Sequence, residues 1–450
     1  MNEKTEKLTV PALFRGASNS KVSAQDVFKA LVILILFCAG LFQLTLAVQS
    51  LKLPDVYRKD FMQEYLLARA VIERVNPYLP VSTLAAKLVD QLPVHVFPHP
   101  TPHPPPVAIL TLPLGLTNYV TAAKIWFGFE LLCLAGSAWT LLMSIHRAPS
   151  WGSLAILTIA SVAWAPVLVG LIVGQLMTLL LLLLSFCWWA LREKRDAAAG
   201  VFLGLVLALK LMGIPLLIFL AIRRRWGTVF ASLLTAALAN VVAAFLMGFG
   251  HVIEYYLTVS RALFPIYRAA IYNLSAWSVG WRLFDGTGSP VDLSIQAPAL
   301  IHAPRLAPIV SALLPLALLV VGIALALRAR DMDTSFGILV CVTILFSPVA
   351  WTHYLVLMAI PLMIALLKLS DGNFPAWAYF KLLGVIVTLG LPSVQLSGLQ
   401  EAFASSQAPT EPVVVPAIVG LFGLIYSVGI VVMLWFLWRI DSQVTIAAGP

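Results

Sequence analysis

Long apolar stretches recur along this chain and restrict its fold more than any other feature. Runs of about 20 predominantly apolar residues, the length that an α-helix needs to cross a bilayer, begin near Phe28 and return as far as the C-terminal region. Only 11% of the 450 residues are charged and the mean hydropathy is +0.94, whereas soluble domains carry about 25% charged residues. The chain is therefore predicted to be an all-α polytopic membrane protein.

Clusters of Lys and Arg between the apolar stretches predict how the chain is threaded, because such clusters favour the cytoplasmic side. Placing every cluster in the cytoplasm requires an even number of crossings between successive clusters. Twelve spans with both ends of the chain inside satisfy this requirement. They lie at about 28–49, 119–145, 151–172, 176–191, 228–249, 306–328, 335–347, 354–368, 375–393 and 413–437, with two short spans in a hairpin at 197–222.

The stretch 197–222 allows two interpretations. A single helix would cross once and leave one of the flanking basic clusters outside, whereas a hairpin that turns at Lys210 to Gly213 keeps both clusters inside at the expense of short spans. The hairpin is the preferred prediction.

The remaining organisation follows from this threading. Residues 1–27 are predicted to be a cytoplasmic tail, and residues 28–450 a single membrane domain with long extracytoplasmic loops at about 50–118 and 250–304. Gln175, Lys210 and His353 all reach the outer face, where one site could gather them. We expect a multi-pass protein of a bacterial-type inner (plasma) membrane with an extracytoplasmic active site.

Other function classes find little support. The net charge of +9 is scattered in short clusters, so nucleic acid is not an expected partner. The four cysteines stand in apolar stretches without paired spacing, which is typical of small buried hydrophobic residues. The sequence contains no GxSxG elbow, CxxC pair or glycine-rich phosphate loop after a strand.

The first outer loop contains two carboxylates. Apolar residues at helical spacing within 58–80 predict a helix on the membrane surface, ended by Asn76 and Pro77. Asp60 stands at its start, where a carboxylate is stabilised by the helix dipole, and both an N-cap and a catalytic role are open. Glu64 follows one turn later and is typical of a solvated ion-pair partner of the nearby basic residues.

Three polar residues stand in apolar context at the outer ends of predicted spans. Lys210 is the only charge between Asp196 and Arg223, and it is interpreted either as a ligand of an anionic lipid headgroup or as a snorkelling lysine. His353 is either an interface residue or a ligand. Gln175 is either a site residue or a hydrogen bond between helices.

His95, His99 and His103 have a spacing that suggests metal binding. The prolines of the segment 98–106, PHPTPHPPP, forbid the helix that this spacing would need. An ordered or partly extended loop is predicted instead, and metal binding is the minor alternative.

Several segments, in order along the chain, resemble glycosyltransferase family 87, membrane enzymes of the GT-C class that use polyprenyl-phosphate sugars. The resemblance runs from Asp60 to about Leu362. It departs from the family pattern at HPTPHPPP, where an aromatic-Pro-Pro is usual, and at Lys210-Leu211, where Lys-Pro is usual. The segments that carry it are DFMQEYLLARAVIERVNPYLP at 60–80, PPPVAILTLPLGL at 104–116, GQLMTLLLLLL at 174–184, AGVFLGLVLALKLMGIPLL at 199–217, RRRW at 223–226, NLSAWSVGWRLF at 273–284 and SPVAWTHYLVLMAIPL at 347–362.

The resemblance implies a GT-C fold and an inverting sugar transfer. Asp60 would be the general base, and Lys210 and His353 would hold the leaving polyprenyl phosphate. The further candidates for substrate contacts are Gln175, Asn273, Arg282 and Glu64. It implies a lipid-linked donor, a glycan or glycolipid acceptor and no resident cofactor, and it leaves open the sugar, which could be a hexose such as mannose or a pentose, and metal dependence.

Two alternatives belong to other classes. A transporter would also place polar residues at helix ends, but it predicts a midplane site and usually repeated halves, and no internal repeat is visible. A flippase for lipid-linked glycans needs no catalytic base, and it is the interpretation favoured if Asp60 is dispensable.

Overall fold

The computed structural model describes residues 24–89, 97–144, 150–288, 295–372, 374–393 and 413–447. Most of the predicted 1–27 tail and His95 lie outside the described residues. The helices, in chain order, are α1 Ala24–Gln49, α2 Phe61–Ile72, α3 Val81–Leu88, α4 Pro106–Thr111, α5 Tyr119–Ser144, α6 Trp151–Val162, α7 Ala165–Val173, α8 Met177–Arg192, α9 Asp196–Lys210, α10 Ile214–Ile222, α11 Trp226–Met247, α12 Phe249–Glu254, α13 Ser260–Tyr267, α14 Ala276–Phe284, α15 Leu306–Arg328, α16 Met332–Phe346, α17 Ala359–Asp371, α18 Ala376–Leu389, α19 Ala417–Gly420 and α20 Ile425–Ala447.

The all-α fold class is confirmed. Within the described ranges the strands are β1 Ile295–Gln296 and β2 Val413–Val414, which pair in parallel as a two-residue ladder. Short 3₁₀ segments stand between the helices, among them Thr352–Met358 immediately before α17.

Each of the twelve predicted spans coincides with a helix or a helical pair. Six helical segments of the described chain are long and apolar enough to cross a membrane, or seven when α6 and α7 are counted as one bent span. The shorter apolar helices include α8, α16 and α18. The polytopic character is therefore established, and twelve complete crossings remain a prediction.

The predicted single span at 151–172 is broken. Its two halves, α6 and α7, meet at an angle of 84°. Pro166 stands in the first turn of α7, where its missing N–H and its ring prevent the α-helical hydrogen bond to the preceding turn. The bend directs the C-terminal end of α7 toward the first loop.

The predicted turn within 197–222 is confirmed, since α9 and α10 form a helical hairpin. Asp196, at the start of α9, forms an ion pair with Arg225, which follows α10, so the segment returns to the place where it began. The turn lies at Leu211, whose φ is +52°. Proline holds φ near −65°, so this turn differs from any that a Lys-Pro sequence could form.

The charged ends of other helices lie together, as the threading predicted. Arg192 contacts Asp333 at 3.0 Å, and Lys368 contacts Asp331 at 2.6 Å and Asp441 at 2.8 Å. These contacts place the ends of α8, α17 and α20 beside the start of α16. The far ends of α8 and α9 carry Gln175 and Lys210.

Helix α2 differs from the surface helix expected in the first loop. Nine of its residues are buried, from Phe61 to Ala70, because it is enclosed by α3, α4, α5 and the 3₁₀ turn at Leu114–Leu116. A helix lying on a bilayer would keep a polar face in water. The apolar periodicity was a correct sign of burial, but the covering surface is protein.

Two further predictions concern the proline-rich segment and the cysteines. The segment 97–105 is not helical, and α4 starts at Pro106, as the prolines required. Three of the four cysteines are buried, whereas Cys38 is exposed on the peripheral helix α1.

Candidate active site

A cavity of about 840 Å³ opens where the first loop, the α7–α8 turn, the α9–α10 turn and the 3₁₀ segment Thr352–Met358 meet. Asp60, Gln175, Lys210 and His353 all line it. These four residues come from four different parts of the chain, and the threading had placed the last three on one face. The structure therefore brings the principal predicted site residues together.

Three of these side chains form one hydrogen-bonded chain. Lys210 Nζ donates to Gln175 Oε1 at 3.3 Å, and Gln175 Nε2 donates to Asp60 Oδ2 at 3.2 Å. The amide thus separates an ammonium from a carboxylate. Each charge keeps part of its hydrogen-bonding capacity for a molecule in the cavity.

Asp60 immediately precedes α2, but its side chain makes no capping hydrogen bond to that helix. The carboxylate is directed toward Gln175 instead. The N-cap interpretation is therefore not realised in this structure.

The environment of Asp60 suits a proton acceptor. Burial, with a smaller contribution from the charge of Glu64, raises the pKa of Asp60 to about 6, and the bond from Gln175 and the charges of Lys210 and Lys59 only partly oppose this rise. A carboxylate with a raised pKa is a stronger base than one in water and remains ionised at neutral pH.

The turn that carries Gln175 is fixed from three directions. Gly174 adopts φ +74°, and a Cβ there would lie 3.0 Å from Phe61 Cβ. Trp126 Nε1 donates to the carbonyl oxygen of Gly174 at 2.9 Å. Lys59 Nζ donates to the carbonyl oxygens of Leu171 and Ile172 at 3.0 and 2.5 Å, which are otherwise unpaired acceptors at the end of a helix.

Lys59 therefore joins the first loop to the end of α7, next to Asp60 in sequence. Its side chain is buried, and burial lowers the pKa of Lys59 to about 8 against the raising effects of Glu130 and Asp60. Adjacent residues thus act on one turn: Lys59 holds its backbone, and Asp60 accepts from its Gln175 side chain.

The Lys210 side chain is half-buried and lines the cavity. Besides its bond to Gln175, its ammonium lies 4.6 Å from the centroid of the Tyr354 ring, a distance at which a cation is attracted to the aromatic face. The left-handed Leu211 ends α9 immediately afterwards. The structure places the ammonium in the wall of the cavity.

His353 lies in the 3₁₀ segment and is 4% exposed. Its Nε2 has no hydrogen-bond partner among the described residues. A buried polar atom without a partner is destabilising, and this one belongs to a cavity-lining side chain, so a ligand could satisfy it.

The rest of the wall is predominantly apolar. Aromatic and aliphatic side chains from α7, the α9–α10 turn, α13 and α14 form one side, including Val173, Met212, Phe264 and Trp277. The site thus combines a small polar cluster with an extensive apolar surface, which is typical of sites for amphiphilic ligands.

A model of glycosyltransferase family 87 matches residues 102–348, more than half of the chain. The chain belongs to glycosyltransferase family 87. The ordered segments had indicated this family. Gln175 and Lys210 lie within the matched residues, Asp60 precedes them and His353 follows them.

A curated relative of the chain is an Alpha-(1->3)-arabinofuranosyltransferase from Corynebacterium glutamicum, which is 27% identical over 181 residues. The alignment covers 38% of this chain and 43% of the relative, so the chain spans less than half of that protein. No solved structure matches the chain.

Two residues proposed as substrate contacts of this family member lie elsewhere. Asn273 is buried and bonds through its side chain to the backbone of Tyr267, Ser275 and Ala350. Arg282 donates to the carbonyl oxygens of Asn273 and Gly420. Neither lines the cavity. Both hold together the loops behind it.

Glu64 differs from the solvated ion-pair partner that was expected. It is fully buried, and its Oε1 lies 3.0 Å from Nε2 of His103. Arg69, a basic residue five positions after Glu64, contacts Glu73 instead. His99 is engaged separately, with Nδ1 at 2.7 Å from the Pro100 carbonyl and Nε2 on the Tyr267 hydroxyl.

Two buried ionisable residues of this family member were missed from sequence. Lys59 stands beside Asp60 in sequence and Glu130 lies in the middle of α5, and neither is among the predicted site residues. Glu130 is 1% exposed, and its carboxylate has no hydrogen-bond partner in the described part of the chain. The sequence signal existed, since an acidic residue inside a span is a functional candidate by default.

Proposed function

We propose that this glycosyltransferase moves a sugar from a polyprenyl-phosphate donor to a hydroxyl of an acceptor glycan or glycolipid, with inversion at the anomeric carbon. The observation that carries the proposal is the chain Lys210–Gln175–Asp60 across one cavity. It holds a base and a cation in fixed positions without letting them neutralise each other.

In the proposed reaction, the acceptor hydroxyl oxygen forms a bond to the anomeric carbon while the bond from that carbon to the phosphate oxygen breaks. The hydroxyl proton passes to Asp60, and the electron pair of the broken bond leaves with the phosphate. One displacement of this kind inverts the anomeric centre. Positioning of both reactants supplies much of the rate, and general-base assistance adds about 100-fold to 10,000-fold.

The leaving phosphate needs positive charge and hydrogen-bond donors. Lys210 supplies the charge, and His353, whose Nε2 lacks a protein partner in the described chain, supplies a hydrogen bond. Preorganised groups of this kind stabilise charge as it develops, without reorganisation at the moment of reaction. The donor is lipid-linked in this proposal, and its first isoprenoid units would contact the apolar wall near Met212 and Phe264.

The name of the relative describes the transfer of arabinofuranosyl groups. We therefore propose a pentose as the first donor sugar to test, with mannose as the hexose alternative. The basic clusters at the opposite ends of α8 and α9 favour a cytoplasmic location there, which would put the cavity on the outer face of a bacterial-type plasma membrane. No resident cofactor is part of the proposal.

The test uses purified protein in nanodiscs with polyprenyl-phosphoryl arabinose or polyprenyl-phosphoryl mannose and a panel of alkyl glycoside acceptors. Transfer, with an anomeric configuration opposite to that of the donor by NMR, is the expected result. A retained configuration would contradict a single displacement in which Asp60 acts as the base. Donor movement across the bilayer without any transfer would favour the flippase.

A further inference from the structure

A second polar pair lies beside Asp60. His103 lines the cavity, and its Nε2 lies 3.0 Å from Glu64 Oε1, with both side chains at most 1% exposed. Glu64 stands one turn after Asp60, and residues so spaced share one face of a helix, about 5–6 Å apart. Burial of ionisable groups has a large desolvation cost, which apolar side chains in the same part of the cavity wall would avoid.

The geometry decides which atom of His103 can meet a substrate. Nε2 lies 3.0 Å from Glu64 Oε1 without the alignment of a hydrogen bond, and the negative charge beside it favours a proton on Nε2. In that tautomer Nδ1 carries a lone pair and is an acceptor. Nδ1 is therefore the ring nitrogen left to contact a molecule in the cavity.

The backbone around His103 is held firmly. Tyr78 donates its hydroxyl to the carbonyl oxygen of His103 at 3.3 Å, and Tyr255 donates to that of Pro102 at 2.8 Å. The neighbouring prolines also limit the backbone torsions. The imidazole is thus fixed before any ligand arrives, which reduces the entropy lost on binding.

We propose that His103, oriented by Glu64, binds a hydroxyl of the sugar acceptor and so contributes to acceptor specificity. This rests on the proposed function, in which Asp60 contacts the attacking hydroxyl, so a group one helical turn from Asp60 faces the same molecule. The donor phosphate is a poorer ligand for His103, because the Glu64 carboxylate next to His103 repels an anion. Lys210 is already the proposed ligand of the phosphate.

Two near-isosteric variants separate binding from a structural role. The side-chain amide of His103→Asn lies where Nδ1 was, whereas that of His103→Gln lies where Nε2 was and can still pair with Glu64. Loss of a hydrogen bond to the acceptor is expected to raise its KM about five- to tenfold in His103→Gln, with kcat and donor KM nearly unchanged. On the proposal, His103→Asn is therefore the less affected variant. A purely structural role predicts the opposite, with His103→Gln close to wild type and His103→Asn impaired.

The deciding readout is coupling to one acceptor hydroxyl, measured with the best alkyl glycoside acceptor and its monodeoxy analogues. One deoxy position should raise KM in the wild-type protein and have little further effect in His103→Gln, as a double-mutant cycle requires. His99→Gln is the matched control, since both ring nitrogens of His99 already have partners, and it should keep the wild-type response. Wild-type transfer without this coupling would overturn only the role of His103, whereas a wild-type protein that transfers no sugar would overturn the proposed function as well.

Discussion

The amide of Gln175 donates to Asp60 at 3.2 Å, although 115 positions separate the two residues in sequence. The same amide accepts from Lys210 at 3.3 Å. A residue at a helix break thus stands between a carboxylate and an ammonium and bonds to both.

Gln175→Leu removes the hydrogen bond that favours the ionised form of Asp60, so the pKa of that carboxyl should rise. The acid limb of the profile of kcat/KM against pH should move to higher pH, and activity at neutral pH should fall about tenfold, since hydrogen bonds to charged groups are worth about 1.5–3 kcal/mol. An acid limb that does not move would show that Gln175 does not act on Asp60.

The wild-type pH dependence follows from Asp60 itself. Burial raises its pKa to about 6, and only the deprotonated form accepts a proton. Activity should therefore be constant in the neutral range and fall about tenfold for each unit below about pH 6, the one-proton dependence of a general base. An acid limb near pH 4, typical of a solvated aspartate, would contradict this environment.

Lys210→Met removes the positive charge from the cavity wall and preserves much of the side-chain volume. The KM for the polyprenyl-phosphoryl sugar should rise at least about tenfold, because charge-assisted bonds to phosphate are among the strongest in proteins. Lys124→Met, at an exposed position of α5, is the control. Equal effects of the two variants on donor KM would remove Lys210 from the phosphate site.

Lys59→Met leaves the carbonyl oxygens of Leu171 and Ile172 without their bonds from Nζ. Unsatisfied buried polar groups cost about 1–3 kcal/mol each, so a lower midpoint of thermal unfolding is expected together with a lower kcat, as Gln175 loses its fixed position. Lys52→Met, exposed in the same loop, should change neither. Unchanged kcat in Lys59→Met would limit Lys59 to stability.

Much of this site could be predicted because its residues stand at the ends of apolar runs. An even number of crossings between basic clusters put Gln175, Lys210 and His353 on one face. The count of crossings was therefore enough to predict that these residues could meet in one site. Family resemblance then added Asp60. The sequence also contains the signal for the break at Pro166, since a proline inside a predicted span ends or bends the helix.

The remaining features depend on contacts between distant segments. The burial of α2, and with it the pairing of Glu64 with His103, results from enclosure by α3, α4 and α5, which no local periodicity reveals. The family resemblance predicts a substrate contact for Asn273, a polar residue in a family segment, yet its amide satisfies backbone groups from two loops. Only the packed structure distinguishes these roles.

The most direct test of the account is the rate of sugar transfer by purified Asp60→Asn. The asparagine retains the shape of the side chain and the capacity to cap a helix, but it cannot take the proton. Asp55→Asn, an exposed carboxylate in the same loop whose partner is Arg58, is the matched control. The account predicts a folded Asp60→Asn protein with kcat reduced at least about a hundredfold and a control with wild-type activity. Near-normal transfer by Asp60→Asn would contradict the assignment of Asp60 as the catalytic base.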